Sequence, residues 1–181
     1  MAVVISGSTG ITLPDNGSLS TSVAGAMVID STGAITMPFQ PAFSASLAGI
    51  QYDIPTGADT TMMFASERFD LGSDFNTSTY TFTAPVTGKY QLNVHLRVDN
   101  MDTATTYYRV KVETTNQRYQ MAIITPTYAS DPTYNNMATS VLADMDAGDT
   151  AYVMLNVSGG AAQADVQSAP TNSHFSGYLV A

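Results

Sequence analysis

The sequence predicts an all-β fold, an antiparallel sandwich or barrel, and three observations carry that expectation. Charge sits in turn-forming residues: thirteen aspartates stand against two glutamates, Glu67 and Glu113, and two lysines, Lys89 and Lys111. Glutamate and lysine favour helices, whereas aspartate bonds back to its own backbone and marks turns. From residue 78 onward, apolar and polar residues alternate with period two, which turns one side of a strand to a core and the other to water. Clusters of Asn, Asp, Gly and Pro punctuate these stretches, as many short strands require. Little helix is expected.

The clearest strand is residues 89–99 (KYQLNVHLRVD), where Tyr90, Leu92, Val94, Leu96 and Val98 share one face and Gln91, Asn93, His95 and Arg97 the other. Residues 108–114 (YRVKVET), 119–124 (YQMAII), 139–143 (TSVLA), 150–157 (TAYVMLNV) and 174–180 (HFSGYLV) read the same way. Turns are predicted between them at 99–103 (DNMDT), 131–136 (DPTYNN), 146–149 (DAGD) and 158–162 (SGGAA).

The first 38 residues differ, being rich in Gly, Ser and Thr with scattered apolar positions, too few for a core. Residues 8–14 (STGITLP) recur as 31–38 (STGAITMP) with one inserted alanine. Each copy reads as a turn and a brief strand closed by proline, Pro14 or Pro38. We therefore divide the chain into an arm, 1–38, and a head, 39–181. An arm that cannot fold alone gains order by pairing with neighbours. Val4, Ile5, Ile11, Leu13, Ile29, Ile35 and Met37 are its candidate attachment residues, since such side chains are wasteful in a solvated tail.

Size and composition narrow the function. A chain of 181 residues fits one domain with an appendage, and a domain of that size buries roughly 68–70% of its unfolded surface, enough to fold without staples. There is no cysteine, which removes disulfides, thiol nucleophiles and thiolate metal sites. Charged residues are 12% of the chain and the net charge is −9. Arg97, Arg109, Lys111 and Arg118 lie in strand-like segments with no basic run, so nucleic acid is not an expected partner. The first residues carry no basic segment of a secretory signal, and no apolar run approaches 18 residues, so the chain reads as soluble, without membrane insertion.

Phenylalanines recur at a recognisable spacing: Phe64, five residues, Asp70, four, Phe75, six, Phe82, five, Gly88, then Tyr90, Leu92 and Val94. This resembles the signature of the globular head of complement component one, subunit q, a jelly-roll family related to tumour necrosis factor. Leu92 and Val94 depart from the aromatics usual at those two places. Residues 41–45 (PAFSA), with Phe43, look like the family's first strand. Residues 148–155 (GDTAYVML), with Tyr152, look like a late strand, and 174–180, with Phe175 and Gly177, like the closing one. The resemblance spans residues 39–181. It implies an antiparallel jelly-roll sandwich, homotrimeric about a three-fold axis, acting as a recognition or assembly head and not as an enzyme.

The motif residues also have physical roles. Phe43, Phe64, Phe75, Phe82, Tyr90, Leu92, Val94, Tyr152 and Phe175 are the candidate fold and trimer core. Gly88 is expected to supply an unusual backbone angle in the turn at 85–90 (PVTGKY), and Gly177 to break the final strand where a ring or backbone approaches closely.

The chemistry-bearing residues are few. There are two histidines, His95 on a polar strand face and His174 before Phe175, and no G-x-S-x-G elbow. No carboxylate pair suits a glycosidase. Asp144, Asp146 and Asp149 could offer oxygens to calcium, with Asp99 and Asp102 weaker options, but the EF-hand spacing is absent. No cofactor, catalytic residue or metal is expected.

Neither Gly-X-Y triplets nor a signal peptide accompany the head, unlike secreted animal members of the resembled family. Residues 5–15 (ISGSTGITLPD) and 28–39 (VIDSTGAITMPF) resemble segments preceding such heads in phage virion proteins. The reading is a non-enzymatic bacteriophage virion protein made in the host cytoplasm: a trimeric capsid-decorating or cement knob whose arm binds other virion proteins. The alternative is a receptor-binding fibre knob that adheres to a host surface glycan or protein. Thirty-eight residues span at most about 125 Å extended, which suits an anchor better than a fibre shaft.

Overall fold

A computed structural model describes residues 18–19, 27–29, 31–169 and 171–181. The chain divides into two units, Met1–Gln40 and Pro41–Ala181. In the first, β1 (Ser18–Leu19), β2 (Met27–Ile29) and β3 (Ile35–Thr36) form a small antiparallel sheet in that order. Ile29 lies opposite Ile35 in register. The second copy of the repeat is a turn, with Gly33 at a left-handed φ of 85°, followed by β3. Ile35, Met37 and Phe39 are all exposed. Val4, Ile5, Ile11, Leu13 and the first repeat with Pro14 lie outside the described residues.

The second unit is a two-sheet jelly roll. One antiparallel sheet runs β12 (Tyr134–Met145), β9 (Gly88–Asp99), β15 (His174–Leu179), β4 (Ala42–Ser46), β6 (Ser66–Leu71), with β14 (Asp165–Val166) beside β9. The other runs β11 (Arg118–Ile124), β10 (Thr105–Thr114), β13 (Thr150–Gly159), β8 (Thr81–Thr83), β7 (Phe75–Asn76), with β5 (Asp59–Thr61) on β13. The first strand of this unit pairs with the last, β4 with β15, and β9 and β10 pair with β12 and β13. Among the described residues the only helical segment is a 3₁₀ turn at Thr125–Thr127.

Alternation builds both sheets. Along β9, Tyr90, Leu92, Val94, Leu96 and Val98 are buried while Gln91, Asn93, His95 and Arg97 are half-exposed, the period-two pattern of a strand with one face in a core. The core is one apolar cluster shared by both sheets, holding Phe43, Phe64, Phe75, Phe82, Tyr90, Leu92, Val94 and Phe175. Phe43 is its centre. Its ring stacks on Phe75 at 5.0 Å and on Phe82 at 4.6 Å and meets Phe175 edge-on at 5.0 Å, and each such pair adds about 0.5–1.5 kcal/mol beyond area burial. The Tyr90 hydroxyl, which burial would leave unpaired, donates to the Val86 carbonyl at 2.7 Å.

Three sequence expectations need correction. The turn at 131–136 is shorter than predicted, because Tyr134, Asn135 and Asn136 already pair with Asp99, Val98 and Arg97; a long partner strand extends β12 past what turn-prone residues favour. Gly88 does not have a left-handed φ. Glycine is needed there because a Cβ would stand 2.5 Å from the Ala181 carbonyl oxygen, where the C-terminal backbone crosses to accept the Lys89 N–H at 2.7 Å. Gly177 does not break the last strand, which runs through it from His174 to Leu179, although the expected close approach of a ring is there, that of Phe43.

One aspartate ties two strained turns together. Asp53 and Asn100 have left-handed φ values of 50° and 56°, unfavourable away from glycine. Asp165, nearly buried, accepts the Asp53 N–H at 3.0 Å through one oxygen and the Asn100 amide at 2.9 Å through the other.

Candidate assembly surface

The outward face of the β12-β9-β15-β4-β6 sheet is a grid fixed by strand register. One row across it reads Leu142, Gln91, Tyr178, Ala42, Leu71, and the next Ser140, Asn93, Ser176, Ser44, Phe69. A third row holds Ala138, His95, His174 and Ser46. Leu142 is 56% exposed, Phe69 50%, Tyr178 48% and Leu71 43%. Four large apolar side chains on one sheet face form a band of the kind that marks interaction sites.

The polar residues between them bond to one another and so present a flat surface. The Gln91 amide donates to the Ser140 hydroxyl at 2.7 Å and to the Val141 carbonyl at 3.0 Å, and Ser140 donates to Asn93 Oδ1 at 2.8 Å. Arg97 forks onto Asp99 at 2.8 and 3.1 Å while its guanidinium lies 4.7 Å over the Tyr134 ring. At one edge Lys89 pairs with Asp144 at 2.5 Å. Lys89, Asp144, Arg97 and Asp99 are thus neutralised locally, which lowers the cost of covering them.

His95 and His174 face each other with rings stacked 5.5 Å apart and 15° from parallel. His95 Nδ1 lies 2.6 Å from the Asn172 carbonyl oxygen. Burial pushes the His174 ring below its ordinary value, and His95 and then Arg68 push it further. Shallow grooves flank the pair, one of about 330 Å³ beside Asn93, His95, Ala138 and Ser140, the other of about 470 Å³ beside Ser44, Arg68, Phe69 and Ser176. Sequence reasoning placed His95 on a polar face and His174 next to a core phenylalanine, but their meeting depends on register, which neither strand reveals alone. Among the described residues, no ion pair joins either histidine to a carboxylate, so the orienting acid of a hydrolytic triad has no counterpart here.

Tyr152 lies apart from the core cluster. Ala151, Val153 and Leu155 take the inward positions of β13, which leaves Tyr152 half-buried on the outward face of the second sheet, opposite Glu113. That face is held by charge. Lys111, only 6% exposed, reaches both Asp59 oxygens at 2.6 and 2.7 Å, and the Asn156 amide donates to the same carboxylate at 2.8 Å. The Lys111 bond holds the Asp59 carboxyl below its ordinary range against a smaller upward push from burial. Glu113 pairs with Arg118 alongside. These contacts pin the three-residue β5 to the sheet.

The aspartates considered for calcium have protein partners: Asp144 pairs with Lys89, Asp99 with Arg97, and Asp146 accepts from the Thr87 hydroxyl. Asp149 accepts the Asp146 N–H at 2.9 Å and the Asn116 amide at 2.5 Å, and Asp102 accepts the N–H groups of Ala104 and Ala161 at 2.7 and 2.6 Å. Among the described residues no three or more His, Asp or Glu side chains gather in a metal-binding group. Asp70, the acidic position of the phenylalanine motif, accepts the Phe75 N–H at 2.8 Å and so anchors the ring that stacks on Phe43.

The model of the C1q domain family matches residues 42–180. Among solved structures, the globular domain of zebrafish complement 1qA protein superposes with a TM-score of 0.58 at 16% identity, over 78% of this chain and 98% of that one. Murine APRIL gives 0.55 at 14% identity over 78% and 99%, and the Eiger TNF of S. frugiperda 0.55 at 16% identity over 79% and 92%. No curated protein sequence matches.

Proposed function

This chain belongs to the C1q domain family, and from that premise we propose that it is a non-enzymatic structural protein of a bacteriophage particle, a homotrimeric knob that decorates the capsid and is anchored by its N-terminal arm. The observation that carries assembly over catalysis is the apolar band of Leu142, Tyr178, Leu71 and Phe69 on a sheet face whose polar groups satisfy one another. Burying such a face against copies of itself removes apolar area from water and strands few charges. Heads of the C1q and tumour-necrosis-factor type are trimers, and a three-fold arrangement closes the interface without leaving a sticky edge.

The arm supports the particle setting. Ile35, Met37 and Phe39 are exposed along 35–39, and residues 5–15 and 28–39 resemble segments that precede such heads in phage virion proteins. Strands of two or three residues gain most by adding to a neighbour's sheet, and other virion proteins are the neighbours in this reading.

Two measurements test it. Sedimentation of the full chain at micromolar concentration should give a trimer; a monomer overturns the assembly assignment. Labelling on intact particles should place many copies over the capsid faces. A handful at a tail tip would instead support the fibre knob that adheres to a host surface glycan or protein.

A further inference from the structure

Resting on the reading of this sheet face as the subunit contact, we propose that His95 and His174 form an acid-sensitive latch, which holds the subunits together while the rings are neutral and releases them when they are protonated. Register sets the pair directly opposite one another where β15 meets β9, with the rings stacked 5.5 Å apart. A carbonyl oxygen only accepts, so the 2.6 Å contact with Asn172 places a hydrogen on His95 Nδ1 and fixes that ring's tautomer. His174 Nδ1 is buried without a hydrogen-bond partner, so a positive charge on that ring finds neither water nor an acceptor at that atom.

The surroundings offer little to neutralise such a charge. From β12 the pair meets Ala138, Thr139 and Ser140, and from β4 and β15 it meets Ser44, Ser46 and Ser176. The charged groups nearby are Arg68 of β6, which lines the same groove as His174, and Arg97, next along the face of β9 and occupied by Asp99. Glu67 of β6 stands opposite Ala45, in the inward-facing register of β4. Two imidazolium rings therefore add to an arginine field. Covering the face displaces the water that screens it and strengthens the repulsion. Burial already favours the neutral His174 ring.

The sign follows from linkage. The packed face binds fewer protons than the separated one, so association weakens as pH falls through the point at which His174 of the separated chain takes up its proton, which burial, His95 and Arg68 hold below the ordinary value of 6.5. One proton taken up per chain lowers the association constant of a trimer about tenfold per chain, or about a thousandfold, per pH unit in that window.

The test is sedimentation of the full chain at about pH 8 and about pH 5, with a double variant, His95→Gln with His174→Gln, run in parallel. The expected result is a wild-type trimer that becomes monomeric in acid while the variant stays trimeric. A wild type trimeric at both values overturns the latch and leaves the contact face standing. A wild type monomeric at the higher value overturns the contact face, and the latch with it. A variant that dissociates in acid like the wild type also overturns the latch. Should the variant fail to fold, proton uptake by wild type diluted to dissociation near pH 6 decides, since these are the chain's only two histidines: about one proton per chain supports the latch and none overturns it.

Discussion

A Cβ on Gly177 would stand 2.8 Å from Cε1 of Phe43, inside contact distance, and 2.7 Å from Cδ2 of Leu92. Phe43 cannot yield, because Phe75 and Phe82 stack on it and Phe175 closes its edge. The central aromatic of the core and the smallest residue of the last strand are thus one packing unit. Gly177→Ala is expected to destabilise the head by about 1–3 kcal/mol through overpacking, read from the midpoint of chemical denaturation. An unchanged midpoint would mean that β15 shifts freely against β4.

Phe82→Ala removes one of the two rings stacked on Phe43 and leaves a cavity between the sheets. The expected cost is about 3–5 kcal/mol, seen as loss of the folded head and not as loss of one activity. Tyr90→Ala should also destabilise, since it deletes a buried ring and leaves the Val86 carbonyl without its donor. A stable Phe82 or Tyr90 variant that loses a particular ligand would point to a binding role that the core geometry does not suggest.

Much of this head was legible because its strands advertise themselves. The alternation in residues 89–99 named the inward set of β9 outright, and the phenylalanine spacing picked out Phe75 and Phe82, the two rings that stack on Phe43. What was not legible depends on which strands become neighbours. Gly88 looked like a turn glycine, yet its constraint comes from the Ala181 carbonyl at the far end of the chain. Tyr152 looked like a core aromatic, yet the small Ala151 holds the inward position beside it. The same holds for the candidate site, where the two histidines are 79 positions apart in sequence and the grid that joins them exists only once β9 and β15 pair.

The Lys111–Asp59 pair gives a pH dependence of known sign. Asp59 is held below its ordinary value of 3.8, so both folded and unfolded chains carry the ionised group above that value and the stabilisation is complete there. It is lost as pH falls from 3.8 through the lowered folded value. Asp59→Ala should cost about 1–3 kcal/mol at neutral pH, because nearly buried Lys111 loses its partner. Its denaturation midpoint should lose the acid dependence that the wild type shows in that window. Equal acid sensitivity in both proteins would place the dependence elsewhere.

Leu142→Lys puts a charge at the β12 end of the exposed apolar band while touching nothing in the core, since Leu142 points outward opposite Gln91. The head should keep its melting transition as an isolated chain but sediment as a monomer, because a desolvated, unpaired charge opposes contact between copies. Retained trimers would move the subunit contact to another face.

The arm supplies the last prediction. Its strands, β1, β2 and β3, are two or three residues long, and Ile35, Met37 and Phe39 are exposed, so a sheet this small has little apolar area to offset the entropy of ordering its chain. The jelly roll, by contrast, draws every ring of its aromatic cluster from residues 43–175. Deleting residues 1–38 should therefore leave a head that folds and assembles with an unchanged denaturation midpoint but no longer joins the particle. Two results would count against this: a truncated head that unfolds, which would make the arm part of the fold, or one that still decorates particles at the wild-type copy number, which would move the attachment to the head itself.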